Sequence, residues 1–281
     1  MRFRPAPERA AVAPGSVGDG LHLRQPFPQE SLMPVSAPQA SKAAQVRAMF
    51  GRIASRYDLV NTLMTFGRDR AWQRRVIHRA QPPPGSRLLD VGCGTGGLAH
   101  AALRFDPRMQ VTAVDFTLEM MRVGRASADV SVPSPVWCGA DALALPFPDA
   151  VFDAVISGYL LRNVTDIRQA LAEQVRVAKP GGRIVGLDTA PPPDDWRRPW
   201  ILLYLMRVVP LVGRWVSGDR HAYRYLPAST RAFKRPAQIA ALMREAGLVQ
   251  VAWEALMFDT VMIVSGTKPM HAVPRRAAER R

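Results

Sequence analysis

Only two cysteines, Cys93 and Cys138, occur in the 281 residues, and they stand in separate segments. Two such thiols exclude a disulfide framework and supply no metal-binding spacing, so a reducing compartment and no metal site are expected. Long apolar runs are also missing. Nothing near the start pairs an apolar run with a cleavage site, which argues against a secretory signal. The most apolar later segment, Trp196 to Val216, is interrupted by Arg207, Pro210 and Arg214. It is too short and too broken to span a bilayer. Acidic residues are scarce as well, 23 Asp and Glu against 38 Lys and Arg, for a net charge of +15. Such an excess suits phosphate or an anionic membrane surface. Its arginines are scattered and no RNA-binding signature accompanies them, so no nucleic-acid partner is expected.

What is present divides into three parts. Residues 1–40 carry many Pro, Gly, Ser and Ala and are expected to be a disordered tail. Residues 269–281, with Arg275, Arg276, Arg280 and Arg281, form a second, basic tail. Between them, 41–268 is long enough for one domain with a sizeable core.

From Arg87 onward, short apolar strands alternate with helical stretches. That alternation predicts an α/β fold, a doubly wound and mostly parallel sheet covered on both faces. Strands are expected at Arg87–Gly92, Gln110–Phe116, Val136–Asp141, Phe152–Tyr159 and Arg183–Thr189. Helices are expected near Gly97–Phe105, Thr117–Arg125, Asp166–Ala178 and Pro236–Ala246. Two final runs, Val249–Met257 and Thr260–Gly266, are separated by two residues and predict an antiparallel hairpin at one edge of a seven-stranded sheet.

The chemistry concentrates at the first strand-to-helix junction, Leu88-Leu89-Asp90-Val91-Gly92-Cys93-Gly94-Thr95-Gly96-Gly97. Glycines there let backbone turn sharply and approach a ligand. Gly92, Gly94 and Gly97 also satisfy G-x-G-x-x-G, so the loop alone leaves a dinucleotide as open as a methyl donor. Asp115, at the end of the second strand, suits the two hydroxyls of an adenosine ribose. It is equally placed to cap the next helix.

Other segments decide between these readings. Asp141-Ala142, Leu145-Pro146-Phe147-Pro148-Asp149, Phe152-Asp153 and Lys179-Pro180-Gly181-Gly182-Arg183 look like the successive signatures of class I S-adenosylmethionine methyltransferases. Three further segments narrow the resemblance: Phe50-x6-Tyr57-Asp58-x2-Asn61 with Phe66-Gly67 and Trp72, Leu161-Arg162-Asn163-Val164-Thr165-Asp166, and Tyr223-Arg224-Tyr225-Leu226-Pro227. Together they resemble the ubiquinone and menaquinone biosynthesis methyltransferase family, from about Ala43 to Lys268.

The resemblance implies a Rossmann-like methyltransferase fold, S-adenosylmethionine as co-substrate and C-methylation of a polyprenyl quinol ring. Asp90, Gly92, Gly94, Thr95, Gly96, Asp115, Asp141, Ala142 and Ser157 would hold the donor. Ser157 enters because Gly158 lies where many relatives have Ser. Arg162 is the first catalytic candidate, holding phenolate charge, with a surface salt bridge to Asp166 as its plain alternative. Tyr57, Asn163 and Asp188 follow, the last standing where relatives generally have Glu; His221 and Tyr223 rank beside them. The resemblance also implies a helical substrate cap at 41–80 and a lid insertion at 191–226. Expected partners are a lipid quinol, a membrane surface touched peripherally and, as an open alternative, a second copy of the chain. The expected location is the cytoplasm or the inner membrane surface. Where relatives end in a Gly-rich turn, this chain has Met257-Phe258-Asp259-Thr260, a departure that leaves other prenylated or polyketide-like phenols open as acceptors.

Overall fold

A computed structural model describes residues 42–127, 131–217 and 222–271. The tail expected at 1–40 lies outside them, as do His221 and most of the tail at 269–281. The described residues belong to one unit.

Seven strands form one sheet in the order β3-β2-β1-β4-β5-β7-β6. They are β1 Arg87–Val91, β2 Gln110–Asp115, β3 Val136–Gly139, β4 Phe152–Gly158, β5 Ala178–Thr189, β6 Val249–Leu256 and β7 Val261–Thr267. The first five run parallel, while β7 pairs antiparallel with both β5 and β6. Chain order reverses between β1 and β4, and in open α/β sheets the crevice beyond such a switch point receives the ligand.

Helices cover both faces because the central strands are apolar throughout, as a doubly covered parallel sheet requires. One cluster joins Leu88, Ala113 and Ile156 to α3 Asp69–Ala80 and α4 Gly97–Phe105. The opposite cluster joins Leu89, Val155 and Ile184 to α6 Ile167–Val177 and α10 Pro236–Glu245. Helix α5, Leu118–Ala126, follows β2.

A third cluster stands apart from the sheet. Met49, Ile53, Val60 and Met64, from α1 Lys42–Ile53 and α2 Tyr57–Met64, bury against Ile201, Leu205 and Val209. The latter belong to α7 Arg198–Leu203, a π-helical turn at Tyr204–Val208 and α8 Val209–Ser217. After residues 218–221, α9 runs from Ala222 to Ala232. Tyr204 Oη donates to Met64 O at 2.6 Å, and Arg56 donates to Val216 O, so the two helical segments are tied together.

Several boundaries differ from expectation. Within 41–80, α3 does not join α1 and α2, since its Trp72, Val76 and Ile77 bury in a sheet-side cluster. β5 starts at Ala178 instead of Arg183. The connection between β6 and β7 is Met257–Thr260, longer than the expected two residues, and three consecutive positions in it have positive φ: Met257 at 45°, Phe258 at 56° and Asp259 at 66°. Left-handed backbone costs an ordinary L-residue about 1–2 kcal/mol. This turn therefore keeps a glycine-like path without glycine. Arg197 holds it to the lid through Asp259 at 2.7 Å.

Candidate active site

The glycine loop leaves β1 with Gly92, Gly94 and Gly96 at φ of 69°, 56° and 83°. A Cβ on Gly92 would meet the Leu160 side chain at 2.7 Å, and one on Gly96 would meet Trp137 at 2.5 Å. Backbone conformation and space thus both demand glycine. A contact that sequence reasoning missed supports the loop from below. Gly124, within α5, lies so close that a Cβ there would sit 2.3 Å from Thr95 O. Its signal was a glycine inside an otherwise helical run, ordinarily a cost of about 1 kcal/mol.

Asp115 does not cap α5, whose N-cap is Thr117 with no side-chain cap; it forms a turn with Thr117 and braces the glycine loop. Its Oδ2 accepts from Gly94 N at 2.8 Å and its Oδ1 from Thr117 N at 2.7 Å. Burial pushes its pKa up against those amide bonds. Asp90 has Oδ2 tied to Ala99 N at 3.0 Å, whereas its buried Oδ1 finds no partner among the described residues. Burial, with Asp115 nearby, pushes its pKa up to about 7.

Two connected hollows follow the loop. One is lined by Gly92, Gly94, Asp115, Ala140, Ala142 and Asn163, the other by Asp90, Thr95, Asp58 and Asn61. Asp141 is exposed and its Oδ1 accepts from Leu143 N at 2.9 Å. Thr95 Oγ1 donates to Asp58 Oδ1 at 2.7 Å, so the cap reaches down onto the loop. Asp58 was quoted in the motif without a role. Ser157 is buried and lines a separate hollow facing α6 and α10; its neighbour Gly158 lines the loop side instead.

A third hollow is bounded by Met64, Leu205, Val209, Leu226, Met257 and Val261, with Arg162 and Thr189 among its polar walls. Arg162 does not pair with Asp166. Residues 161–165 form a turn instead of a helix, and Asp166 caps α6 by accepting from Arg168 N and Gln169 N. Arg162 is buried, its Nη1 donating to Asp188 Oδ1 at 2.8 Å and its backbone N to Asp188 Oδ2 at 3.2 Å. Burial alone would lower the guanidinium pKa, but the charge of Asp188, its hydrogen bond and the phenols of Tyr57 and Tyr159 together outweigh it and hold Arg162 above its ordinary value. Its buried Nε has no partner among the described residues.

Tyr159 borders all three hollows and was missed as a candidate. Its φ is 55°, held by a hydrogen bond from its N to Leu187 O at 2.6 Å. Backbone strain of this kind, about 1–3 kcal/mol, persists where surrounding structure imposes it and clusters at functional sites. The Arg162 guanidinium carbon lies 5.0 Å from the Tyr159 ring centroid. Burial pushes the phenol well above its usual range.

Asn163 links Tyr159 to α9. Its Nδ2 donates to Tyr159 O at 2.7 Å while Tyr225 Oη donates to its Oδ1 at 3.0 Å. Tyr57 lines both loop-side hollows, and burial raises its pKa. Tyr223's side chain lies outside the described residues.

Residues 38–268 match the ubiE/COQ5 methyltransferase family. The demethylmenaquinone methyltransferase of Roseiflexus castenholzii is 42% identical over 234 residues, 83% of this chain and 98% of that protein. The ubiquinone/menaquinone biosynthesis C-methyltransferase UbiE of Desulfotalea psychrophila is 42% identical over 228 residues, 81% of this chain and 92% of that protein. Among solved structures, a SAM-dependent methyltransferase of Thermotoga maritima gives a TM-score of 0.55 at 18% identity, covering 79% of this chain and 99% of the other. That likeness concerns the fold, which is Rossmann-like. On the extent of the family match and the identity to these relatives, the chain belongs to the ubiE/COQ5 methyltransferase family.

Proposed function

We propose that this enzyme transfers a methyl group from S-adenosylmethionine to a ring carbon of a polyprenyl quinol, a demethylmenaquinol or a methoxy-polyprenyl-benzoquinol, in respiratory quinone biosynthesis. The loop-side hollows fit the donor. The unpartnered Asp90 Oδ1 suits its ammonium group, the Asp115 carboxylate lining the hollow suits its ribose hydroxyls, and the positive-φ glycines leave room for its methionine portion. Asp141 and Ala142 would meet the adenine. When bound, the donor supplies an electrophilic methyl group. Dry alignment is then most of what the protein must provide.

One observation carries the acceptor side of this reading: a buried guanidinium, held by Asp188, faces an apolar hollow that shares the Tyr159 wall with the donor hollows. A ring carbon gains nucleophilicity as its neighbouring hydroxyl loses a proton, and a fixed cation stabilises the phenolate. Arg162 performs that task as a permanent cation, not as a base. Apolar walls accept the isoprenoid tail. Tyr57 and Asn163 position the ring.

The lid's outer face supports a peripheral membrane contact. Trp196, Trp200 and Trp215 are 79%, 67% and 83% exposed, and Leu203, Met206 and Leu211 join them. Among the described residues no helix is long and apolar enough to cross a membrane. Three exposed indoles beside arginines suit an anionic bilayer surface. Trp200→Ser with Trp215→Ser is expected to reduce sedimentation with phosphatidylglycerol vesicles; unchanged sedimentation sinks this contact.

The reaction itself is tested by incubating the protein with S-adenosylmethionine and reduced demethylated naphthoquinol and benzoquinol acceptors. The expected product is one quinol bearing one additional C-methyl group. Donor binding without methylation of either quinol would reject the substrate class.

A further inference from the structure

The acceptor hollow is mostly hydrocarbon, so each polar group in its wall can be accounted for. Tyr204 Oη is spent on Met64 O, and Thr260 Oγ1 on Met257 O at 2.7 Å. Thr65 Oγ1 is engaged with Thr62 O and Asp69. Arg162 keeps Nε unused. Asn61, hydrogen-bonded to Tyr57, and the Tyr159 phenol also line it. Beside them stands a pair of hydroxyls: Thr230 Oγ1, on α9, donates to Thr189 Oγ1, at the end of β5, across 3.1 Å. Thr230 is 1% exposed.

Two threonines bring two hydroxyl protons, and this contact consumes one. The other hydroxyl proton is left for a ligand, and both residues line the hollow. Burying hydroxyls in hydrocarbon is costly unless their bonding capacity is used. The pair is also fixed in relation to Arg162, because Asp188 Oδ1 accepts from Arg162 Nη1 and from Thr189 N, both at 2.8 Å. One carboxylate therefore orients a cationic donor and a neutral hydroxyl donor on the same wall.

Resting on the quinol reading above, we propose that the Thr189–Thr230 hydroxyl pair binds the acceptor's second ring oxygen, while Arg162 serves the oxygen beside the carbon that is methylated. A quinol carries two ring oxygens and a monophenol one. The pair thus makes the enzyme selective for dioxygenated rings. Thr189 donates to the second oxygen, and Thr230 holds Thr189 in the donating orientation. Thr189 is a specificity-determining contact and Thr230 a positioning residue.

The test compares kcat/KM for a demethylated quinol with that for the matching monophenol lacking the second oxygen, in the wild type, Thr189→Val, Thr230→Val and Thr230→Ser. The wild type is expected to prefer the quinol, and Thr189→Val to shrink that preference about tenfold, the worth of one hydrogen bond. The change should appear as a raised quinol KM, with monophenol kinetics and donor affinity unchanged. Thr230→Val should follow and Thr230→Ser should restore the preference. Equal losses on both acceptors would show a purely structural pair and overturn the proposal, as would a preference untouched by either valine. Failure of the quinol reading looks different: the wild type would then bind donor and methylate neither acceptor.

Discussion

The two ends of the cleft are built by opposite means. At the donor end, backbone does the work: glycines at positive φ, amides of Gly94 and Thr117 on Asp115, and a helix brought against Thr95 O at Gly124. At the acceptor end, side chains do it: Arg162 on Asp188, Tyr225 on Asn163, Thr230 on Thr189, beneath helices held by a separate apolar cluster. A donor common to many reactions can be held by a backbone shape shared through the fold. The acceptor differs from enzyme to enzyme, so its site lies on replaceable side chains and insertions.

This division can be broken first at the buried ion pair. Arg162→Ala should destabilise the protein by about 3–5 kcal/mol in urea unfolding, because Asp188 is left buried without its counter-charge. Adding Asp188→Asn should recover much of that loss. No recovery would mean that Arg162 stabilises chiefly by packing. At the other end, Asp115→Ala should weaken donor binding about 10–100-fold by calorimetry, through the loss of ribose contacts and of the amide bonds that shape the loop. Unchanged affinity would remove Asp115 from the donor site.

Smaller effects sharpen the contrast. Gly124→Ala must displace Thr95 backbone or α5 itself, at a cost of about 1–3 kcal/mol. Donor affinity should fall while acceptor preference holds. Asp90 adds a pH signature. Its folded pKa of about 7 lies above that of an unfolded Asp, near 4, so its contribution to stability is complete below about pH 4 and disappears as pH rises through about 7. Donor-free protein should lose stability across that window, and Asp90→Asn should flatten the loss. Donor affinity should rise over the same range, as the carboxylate that meets the ammonium ionises. Least of all, Phe258→Gly should stabilise by about 1 kcal/mol by relieving positive φ at an exposed position.

Legibility in the sequence follows the same division. The strand-loop-helix at Arg87 to Phe105, the edge hairpin and the sharp turns at Gly92 and Gly94 were readable because local composition determines backbone shape. Pairings across the fold were not. Asp58 meets Thr95 over 37 positions and Arg162 meets Asp188 over 26, and neither periodicity nor spacing brings such residues together. The i,i+4 partner suggested for Arg162 presumed a helix through 162–166, where the chain turns and starts α6 only after Asp166. Ser157 was assigned to the donor because it adjoins Gly158, yet successive strand residues face opposite sides of a sheet. Tyr159 carried no motif of its own, since positive φ at a tyrosine is imposed by tertiary structure.

Donor calorimetry and quinol turnover, measured together on the Arg162→Ala/Asp188→Asn double variant, test the division of labour most directly. The result expected is donor affinity within about twofold of wild type and turnover lowered by at least about a hundredfold, on the scale of losing a preorganised charge-stabilising group. Retained turnover, or donor binding lost in parallel with it, would contradict the account.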